Sequence, residues 1–450
     1  NNTSMKYKSI TFLATLFLFA AFTAFGQNEP LQLSLELAQE MAVQNNYNLK
    51  NAQLDIEKAK YQVNEIKSMG LPQVSGSGSF SHTFKIPTQV IPGDAFGQPG
   101  QNIPVQFGVP YSMSGNIGAN QLLFDGTFFL GLKAASEFVN ISSLMASKSE
   151  IDVKEGVLKA YYMALISSEN IGQLDQSLAN ITKLKNETQA MYDAGFAEKL
   201  DVDRLVLSAS NLEININNLK NQAELAKRVL LNSMGVNVNQ PVTLTTELPT
   251  YAPENFELNY GAEHDIENRI EYKLLEQQQS LNELDMQRYK VGYYPSLYAG
   301  FNYGWQTFGS KGKFNELGNT WYPNGMYSLS LSVPIFDGLD KKSKVDQSKV
   351  EIAKTANTMA QLNNGINLEV SQARTQYVNA IKTLELQNKS VKLAESIYTT
   401  TSIKFKEGIG SSFEMITAES DLTQAKTNYL NAMYDLSVAK INLDKALGNL

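Results

Sequence analysis

The chain repeats one long series of motifs, and this internal duplication constrains its fold more than any other feature. Each copy has an alternating polar and apolar stretch, a Phe-Asp-Gly motif, a long run without proline and a glycine turn within that run. The paired glycines lie about 213 residues apart, and such a constant spacing is typical of an internal repeat. They are Gly126 and Gly338, Gly195 and Gly408, and Gly235 and Gly448. We therefore expect a first repeat at 27–235, a linker at 236–261 and a second repeat at 262–450.

Four segments alternate polar and apolar residues with the period of two that is typical of a β-strand. They are residues 73–84, 113–119, 297–305 and 327–335, and serine is common on the polar face. Segments of about 9–12 residues are long enough to cross a bilayer as tilted strands. The same alternation fits an ordinary half-buried antiparallel sheet. The connections at 85–112 and 306–325, rich in glycine and proline, are expected to be long loops rather than helices.

The number of predicted strands limits how the chain could form a membrane barrel. A barrel needs about eight strands, so four cannot close one. Because lipid does not tolerate an open sheet edge, membrane-spanning strands would have to be pooled by several copies of the chain. Trp305, Trp321 and Tyr322 lie near strand ends and are candidates for an aromatic girdle at the membrane surface.

The two proline-free intervals, 111–240 and 335–450, are predicted to be largely helical. In each interval a glycine turn, at 193–197 or 407–411, folds the chain into a helical hairpin. The second arm of each hairpin carries apolar residues at spacings of four and three, which indicates coiled-coil packing. The positions are Leu205, Ala209, Leu212, Ile216, Leu219, Ala223, Ala226 and Leu230, and the eight residues that lie 213 positions later. Shorter helices are expected within 31–69 and 262–291.

The N-terminus is interpreted as an export signal. Lys6 and Lys8 precede an apolar run that ends near Gly26, so residues 1–26 are expected to be a signal peptide with a few upstream residues. A membrane-anchor helix is the alternative interpretation, but the run is short for a bilayer span.

Composition points away from several functional classes. The net charge of -7, without a basic block, argues against a nucleic-acid partner. The chain has no cysteine and only two histidines, His82 and His264, so a metal site of His/Cys type is not expected. We find no phosphate-binding glycine loop and no nucleophile elbow. The sequence therefore predicts neither an enzyme nor a cofactor.

The ordered set of motifs resembles the TolC family of outer-membrane efflux channels over nearly all of the mature sequence. The resemblance rests on the duplicated strand entries Leu71-Pro72 and Tyr294-Pro295, on the two Phe-Asp-Gly exits, and on Asn268-Arg269-Ile270-Glu271 before the second set of strands. It implies a mainly α fold with a membrane β-barrel, in which each repeat contributes two long coiled-coil helices and a β-hairpin. A homotrimer would form a twelve-stranded barrel in outer-membrane lipid and an α-helical tunnel through the periplasm. It would passively conduct substrates delivered by a periplasmic adaptor and an inner-membrane pump.

The resemblance also implies roles for particular residues. The two helical turns would dock the adaptor, through Gly195, Phe196, Glu198, Asp201, Gly408, Ile409 and Ser411. Glu198 departs from the family pattern, which has Ser or Thr at that position. A periplasmic gate facing the lumen would comprise Phe405, Glu414 and Thr417, with Glu414 forming a ring of three carboxylates. The alternative function is a secreted coiled-coil protein that is structural or tethers parts of the envelope.

Overall fold

The computed structural model is mainly helical and describes residues 30–97, 99–248, 265–310 and 317–450. The predicted signal peptide lies outside the described residues, as does the predicted linker from residue 249 onwards. The helices are α1 Leu35–Asn45, α2 Tyr47–Met69, α3 Gly126–Asp193, α4 Lys199–Ser233, α5 Ile270–Val291, α6 Asp340–Lys406 and α7 Ser412–Leu447. None of the described helices is both long enough and apolar enough to span a membrane.

The strands are β1 Leu31–Leu33, β2 Gln73–His82, β3 Thr88–Pro92, β4 Asn102–Gln106, β5 Tyr111–Phe124, β6 Val242–Leu244, β7 Ser296–Gly309 and β8 Tyr322–Ser332. The four predicted strands are confirmed as β2, β5, β7 and β8. The connection at 85–112 is not helical, but it is more regular than a loop, because β3 and β4 pair antiparallel within it. Pro104 fits there because a two-stranded ribbon consists only of edge strands, where a missing N–H is tolerated.

Two compact units divide the chain, and each unit takes residues from both sequence repeats. One unit draws on Leu54–Met145 and Glu271–Gln361. It contains an antiparallel sheet in the order β2-β5-β7-β8, so β2 and β8 are its edges among the described strands. The register places Asn116 between Ser77 and Gly304, with Asn324 next in the row. One face of the sheet is therefore rich in serine, asparagine and glycine.

Gly304 leaves room for the Asn116 side chain in that polar row. A Cβ at Gly304 would clash with the Asn116 side chain and lie 3.2 Å from Asn324 Oδ1. The opposite face carries apolar side chains in the same register, with Phe301 between Ala119 and Tyr327. The predicted alternation of strand faces is thus confirmed.

The other unit draws on Asn1–Gln53, Ala146–Ile270 and Leu362–Leu450, and it contains α4, α7, both hairpin turns and the larger part of α3 and α6. The seam predicted on α4 is buried at Leu205, Ala209, Ile216, Ala223 and Leu230. The seam on α7 is also buried or half-buried at every predicted position. Because these residues recur every three or four positions, they align along one side of each helix and hold it against its neighbours.

The entry of each repeat is fastened to the end of that repeat by one side chain. Asn46 donates from Nδ2 to the carbonyl oxygen of Ser233 at 2.7 Å. Arg269 donates from its guanidinium to the carbonyl oxygen of Ala446 at 2.6 Å and pairs with Glu369 at 3.1 Å. Ser233 and Ala446 are 213 positions apart, so the two bonds are equivalent even though the donors differ. Both donors satisfy carbonyls that a helix end leaves without an intrahelical partner.

Candidate functional site

The candidate site comprises the turns that join α3 to α4 and α6 to α7, which we call the first tip (residues 194–201) and the second tip (residues 407–414). Both turns begin with a glycine in the left-handed region, Gly195 at φ 83° and Gly408 at φ 75°. In both, the residue after the glycine donates its N–H five residues back, Phe196 to Met191 and Ile409 to Lys404. This Schellman arrangement ends the helix by satisfying its last carbonyls. The two repeats therefore share even the individual backbone hydrogen bonds of their turns.

The apolar residue that closes each Schellman turn is exposed. Phe196 is 86% exposed and Ile409 is 78% exposed. In such turns this residue frequently packs back onto the helix that it follows. Both tips therefore present a bare apolar side chain, next to the half-exposed Leu200 on the first tip and Phe413 on the second.

The two tips differ in how their second helix begins. Ser411 is the N-cap of α7, and its hydroxyl accepts the backbone N–H of Glu414 at 3.2 Å. Glu198 is the N-cap of α4, and its side chain accepts no capping hydrogen bond. The exposed Glu198 carboxylate is therefore not engaged in the turn, although its charge suits a helix N-terminus.

The residues predicted to form a gate are placed in two different environments. Glu414 and Thr417 are exposed on the first turns of α7. Phe405 is only 9% exposed, because its ring packs against Leu184 and Met415 in a cluster that joins both hairpins. In this chain Phe405 is a packing residue behind the exposed pair, and its role at a gate stays a prediction.

Two contacts connect the start of α4 to the second tip. Ser412 donates from its hydroxyl to the Asp201 carboxylate at 2.5 Å. The Arg204 guanidinium lies 5.5 Å from the ring centre of Phe413, within the range of a cation–π contact. The acidic position of the first tip, Asp201, is thus engaged within the chain, whereas its counterpart Glu414 is not hydrogen-bonded through its carboxylate in the part of the chain described.

Sequence reasoning missed one acid of this region, Glu419. It is 3% exposed, and its Oε1 accepts hydrogen bonds from Ser177 at 2.7 Å and from Asn180 at 3.4 Å. Burial and the neighbouring Glu419 carboxylate raise the pKa of the Tyr398 hydroxyl. Nothing local to Glu419 in the sequence distinguishes it from the other acids spaced along the same helix.

The aromatic girdle candidates do not share one face of the sheet. Trp305 pairs with Pro323 across β7 and β8, whereas Tyr322 pairs with Gln306. Because paired residues point to the same side, Trp305 lies on the apolar face and Tyr322 on the polar face. Trp321 precedes β8 and is 41% exposed.

The chain is similar to known proteins in both sequence and fold. The family model described as outer membrane efflux protein matches residues 38–236 and 274–449. The probable efflux pump outer membrane protein TtgC of Pseudomonas putida is 22% identical over 411 residues, which are 90% of this chain and 80% of that protein. The solved CmeC outer membrane channel of Campylobacter jejuni is similar in fold, with a TM-score of 0.71 at 15% identity. That similarity covers 92% of this chain and 85% of CmeC.

The outer membrane protein VceC of Vibrio cholerae gives a TM-score of 0.68 at 14% identity, over 92% of this chain and 96% of VceC. These similarities to solved structures establish the fold. The family model covers most of the chain, including both helical hairpins, both tips and all four strands of the sheet β2-β5-β7-β8. The chain belongs to the outer membrane efflux protein family.

Proposed function

We propose that the chain is one subunit of a trimeric outer-membrane exit duct that serves a tripartite efflux or type I secretion system. One observation carries this proposal: the four-stranded sheet has a polar face, an apolar face and two unpaired edges, β2 and β8, among the described strands. Exposed sheet edges cannot remain in lipid, because their N–H and C=O groups would have no partners.

Pairing between copies removes both edges. If β8 of one copy pairs with β2 of the next, three copies supply twelve strands and close a barrel. The number three rests on the family resemblance. The serine- and asparagine-rich face would then line a wet lumen, and the face that carries Leu329 and Phe301 would meet lipid.

The helical hairpins would form a tunnel through the periplasm. Four long helices per chain, α3, α4, α6 and α7, give twelve in a trimer. Glu414 and Thr417, exposed near the second tip, would narrow the entrance. The conduit would be passive, and an inner-membrane pump would supply the energy.

The tips would dock the periplasmic adaptor. The exposed Phe196 and Ile409 offer one apolar anchor on each tip, and apolar anchors at the centre of an interface dominate binding energy. Glu198 gives the first tip a charge that the second tip lacks at the equivalent position, Ser411. The adaptor is therefore expected to meet two related but unequal docking points.

Purification and reconstitution test the proposed duct. The protein should require detergent, light scattering should give the mass of three chains, and planar bilayers should show discrete conductance steps. A water-soluble, elongated protein without conductance would instead support the alternative, a secreted coiled-coil tether.

Docking is tested with the periplasmic adaptor that co-purifies with this protein from cross-linked cells. Phe196→Asp with Ile409→Asp should weaken its binding about tenfold, since burial of two apolar anchors is lost. Leu54→Asp, at an exposed apolar position far along the chain from either tip, is the matched control. Equal binding by all three proteins would exclude the tips as the docking site.

A further inference from the structure

The contacts between the two hairpins provide a template for contacts between copies of the chain. Near the tips, α4 touches α7 through Asp201 with Ser412 and through Arg204 with Phe413. Deeper in the same unit, α3 touches α7 where Ser177 and Asn180 bond Glu419. In each of these contacts the first repeat presents one side and the second repeat the other.

The repeat assigns an equivalent partner to every residue in these contacts. Adding or subtracting 213 converts Asp201 with Ser412 into Glu414 with Lys199, and Arg204 with Phe413 into Thr417 with Leu200. The same step converts Glu419, Ser177 and Asn180 into Val206, Ser390 and Leu393.

These equivalent residues are exposed in the single chain, whereas several residues of the template are buried. Ser412 is 4% exposed and Glu419 is 3% exposed, but their equivalents Lys199 and Val206 are exposed, Val206 by 46%. Leu393, the equivalent of Asn180, is 64% exposed. The template contacts are therefore made inside one chain, whereas the equivalent residues are not covered by the described part of that chain.

The uncovered residues are chemically complementary to one another. Glu414 and Lys199 carry opposite charges, and neither forms an ion pair among the described residues. Where the template has a buried acid facing an amide, the equivalent positions have Val206 facing Leu393. Both sides of that contact change from polar to apolar together, and the equivalent of Ser177 is the uncharged Ser390, so a contact among these residues buries no unpaired charge.

We propose that a second copy of this chain covers this surface by the same step that relates the two repeats, so that Glu414 of one copy pairs with Lys199 of the next. Val206 of the next copy then packs against Leu393, and its Leu200 packs against Thr417. Such a head-to-tail contact leads to a closed ring when its rotation closes, as a homotrimer requires. This inference rests on the proposed trimer and adds the residues that hold its helical part together.

Cysteine cross-linking tests the interface directly, because the native chain has no cysteine. The variant Lys199→Cys/Glu414→Cys should give covalent dimers and trimers on a non-reducing denaturing gel after mild oxidation or treatment with a short bifunctional thiol reagent. The matched control Asp201→Cys/Ser412→Cys should close within one chain, so it should lose its free thiols and stay at the monomer mass. Lys199→Cys/Glu395→Cys, whose second position lies far from the tip on α6, should give no ladder.

Three outcomes are distinguishable. A ladder from the first variant alone supports the interface. A trimer by light scattering in detergent, with the Asp201–Ser412 control closed but no ladder from Lys199→Cys/Glu414→Cys, overturns the interface and leaves the exit duct in place. Absence of any trimer overturns the proposed duct and this interface with it.

Charge reversal provides a second measurement that does not depend on cross-linking geometry. Lys199→Glu places two acids together and should lower the temperature at which the detergent-purified trimer dissociates. Adding Glu414→Lys restores opposite charges and should reverse most of the decrease in dissociation temperature. If the double variant is no more stable than Lys199→Glu alone, the pairing is wrong.

Discussion

At the residue scale, the tips depend on backbone positions that only glycine occupies easily. Gly195 and Gly408 have positive φ, and nothing lies within 4 Å of where a Cβ would stand, so the constraint is the backbone conformation and not space. Gly410 differs, because a Cβ there would lie 2.9 Å from the backbone nitrogen of Phe405. The second tip is therefore constrained by close approach as well as by conformation.

Alanine at either positive-φ glycine should destabilise its tip. Gly195→Ala and Gly408→Ala should each lower the free energy of unfolding by about 1–2 kcal/mol, the cost of a left-handed residue with a Cβ. Gly172→Ala, inside α3 and with open space around it, should raise the free energy of unfolding by about 0.5–1 kcal/mol. Urea unfolding, monitored by circular dichroism, gives the free energy of unfolding of all three variants. Equal effects would show that the positive φ of Gly195 and Gly408 does not limit which residue fits there.

A partly buried ion cluster joins α3 to the end of α7. Lys445 bonds Glu155 at 2.5 Å and Asp152 at 3.0 Å. Burial opposes ionisation of Glu155, but hydrogen bonds from Lys159 and Lys445 outweigh it and lower the pKa of the carboxyl. A lowered folded-state pKa contributes stability above the unfolded pKa, about 4.3, and that stability is lost as pH falls through the folded value.

Lys445→Met should therefore destabilise the protein in a pH-dependent way. The loss should be about 1 kcal/mol at pH 7, discounted for the solvent that still reaches the ions, and should shrink towards zero as pH falls through the lowered folded-state pKa of the acids, below which they are protonated in both proteins. Lys349→Met, which breaks a solvent-exposed pair with Asp346, is the control and should have little effect. A loss that does not change with pH would mean that Lys445 acts by packing alone.

At the element scale, each strand of the sheet has one apolar face and one polar face. In β8, Leu329 pairs with Ala299 on the apolar face, and Ser330 pairs with Tyr298 on the opposite face. Adjacent residues of one strand therefore report on the two faces separately.

Lysine at these two neighbouring positions should have unequal effects. Leu329→Lys should cost about 2–4 kcal/mol if it lies near the middle of the bilayer, because a charge meets lipid there. Ser330→Lys should be tolerated, because it would face the wet lumen. The readouts are the amount of trimer recovered from the outer-membrane fraction and its resistance to heat; equal recovery would contradict the assignment of faces.

At the scale of the whole molecule, conductance depends on the narrowest point of the assembled duct. Glu414 is exposed in one chain and would recur in each copy around the second tips. Carboxylates crowded in this way attract cations and repel one another. The proposed pair with Lys199 of the next copy would reduce that repulsion and hold the tips closed.

Removing the carboxylate should open the entrance. Glu414→Ala should raise single-channel conductance in planar bilayers or reduce block by divalent cations, because both the charge ring and its pairing are lost. Glu385→Ala, at an acid paired with Lys389 on α6, should leave conductance and block unchanged. If Glu414→Ala behaves like Glu385→Ala, Glu414 is not part of the gate.

Much of the architecture could be predicted from the sequence because its signals are periodic and local. Proline-free runs, a seam such as Leu205 to Leu230, and turns at Gly195 and Gly408 depend on residues a few positions apart, and the structure confirms each of them. The alternation of polar and apolar residues predicted the strands correctly for the same reason, since its period of two is a property of the strand itself.

The tertiary structure decided which side chains those elements bring together. Glu414 and Glu419 are five positions apart on one helix, yet the first is exposed and the second is buried against Ser177, 242 positions away. Phe405 became a core residue because both hairpins converge on it. The helical period in a sequence predicts which face of the helix a residue lies on. Only the packing of distant segments determines what covers that face, because burial and hydrogen bonding depend on neighbours in space.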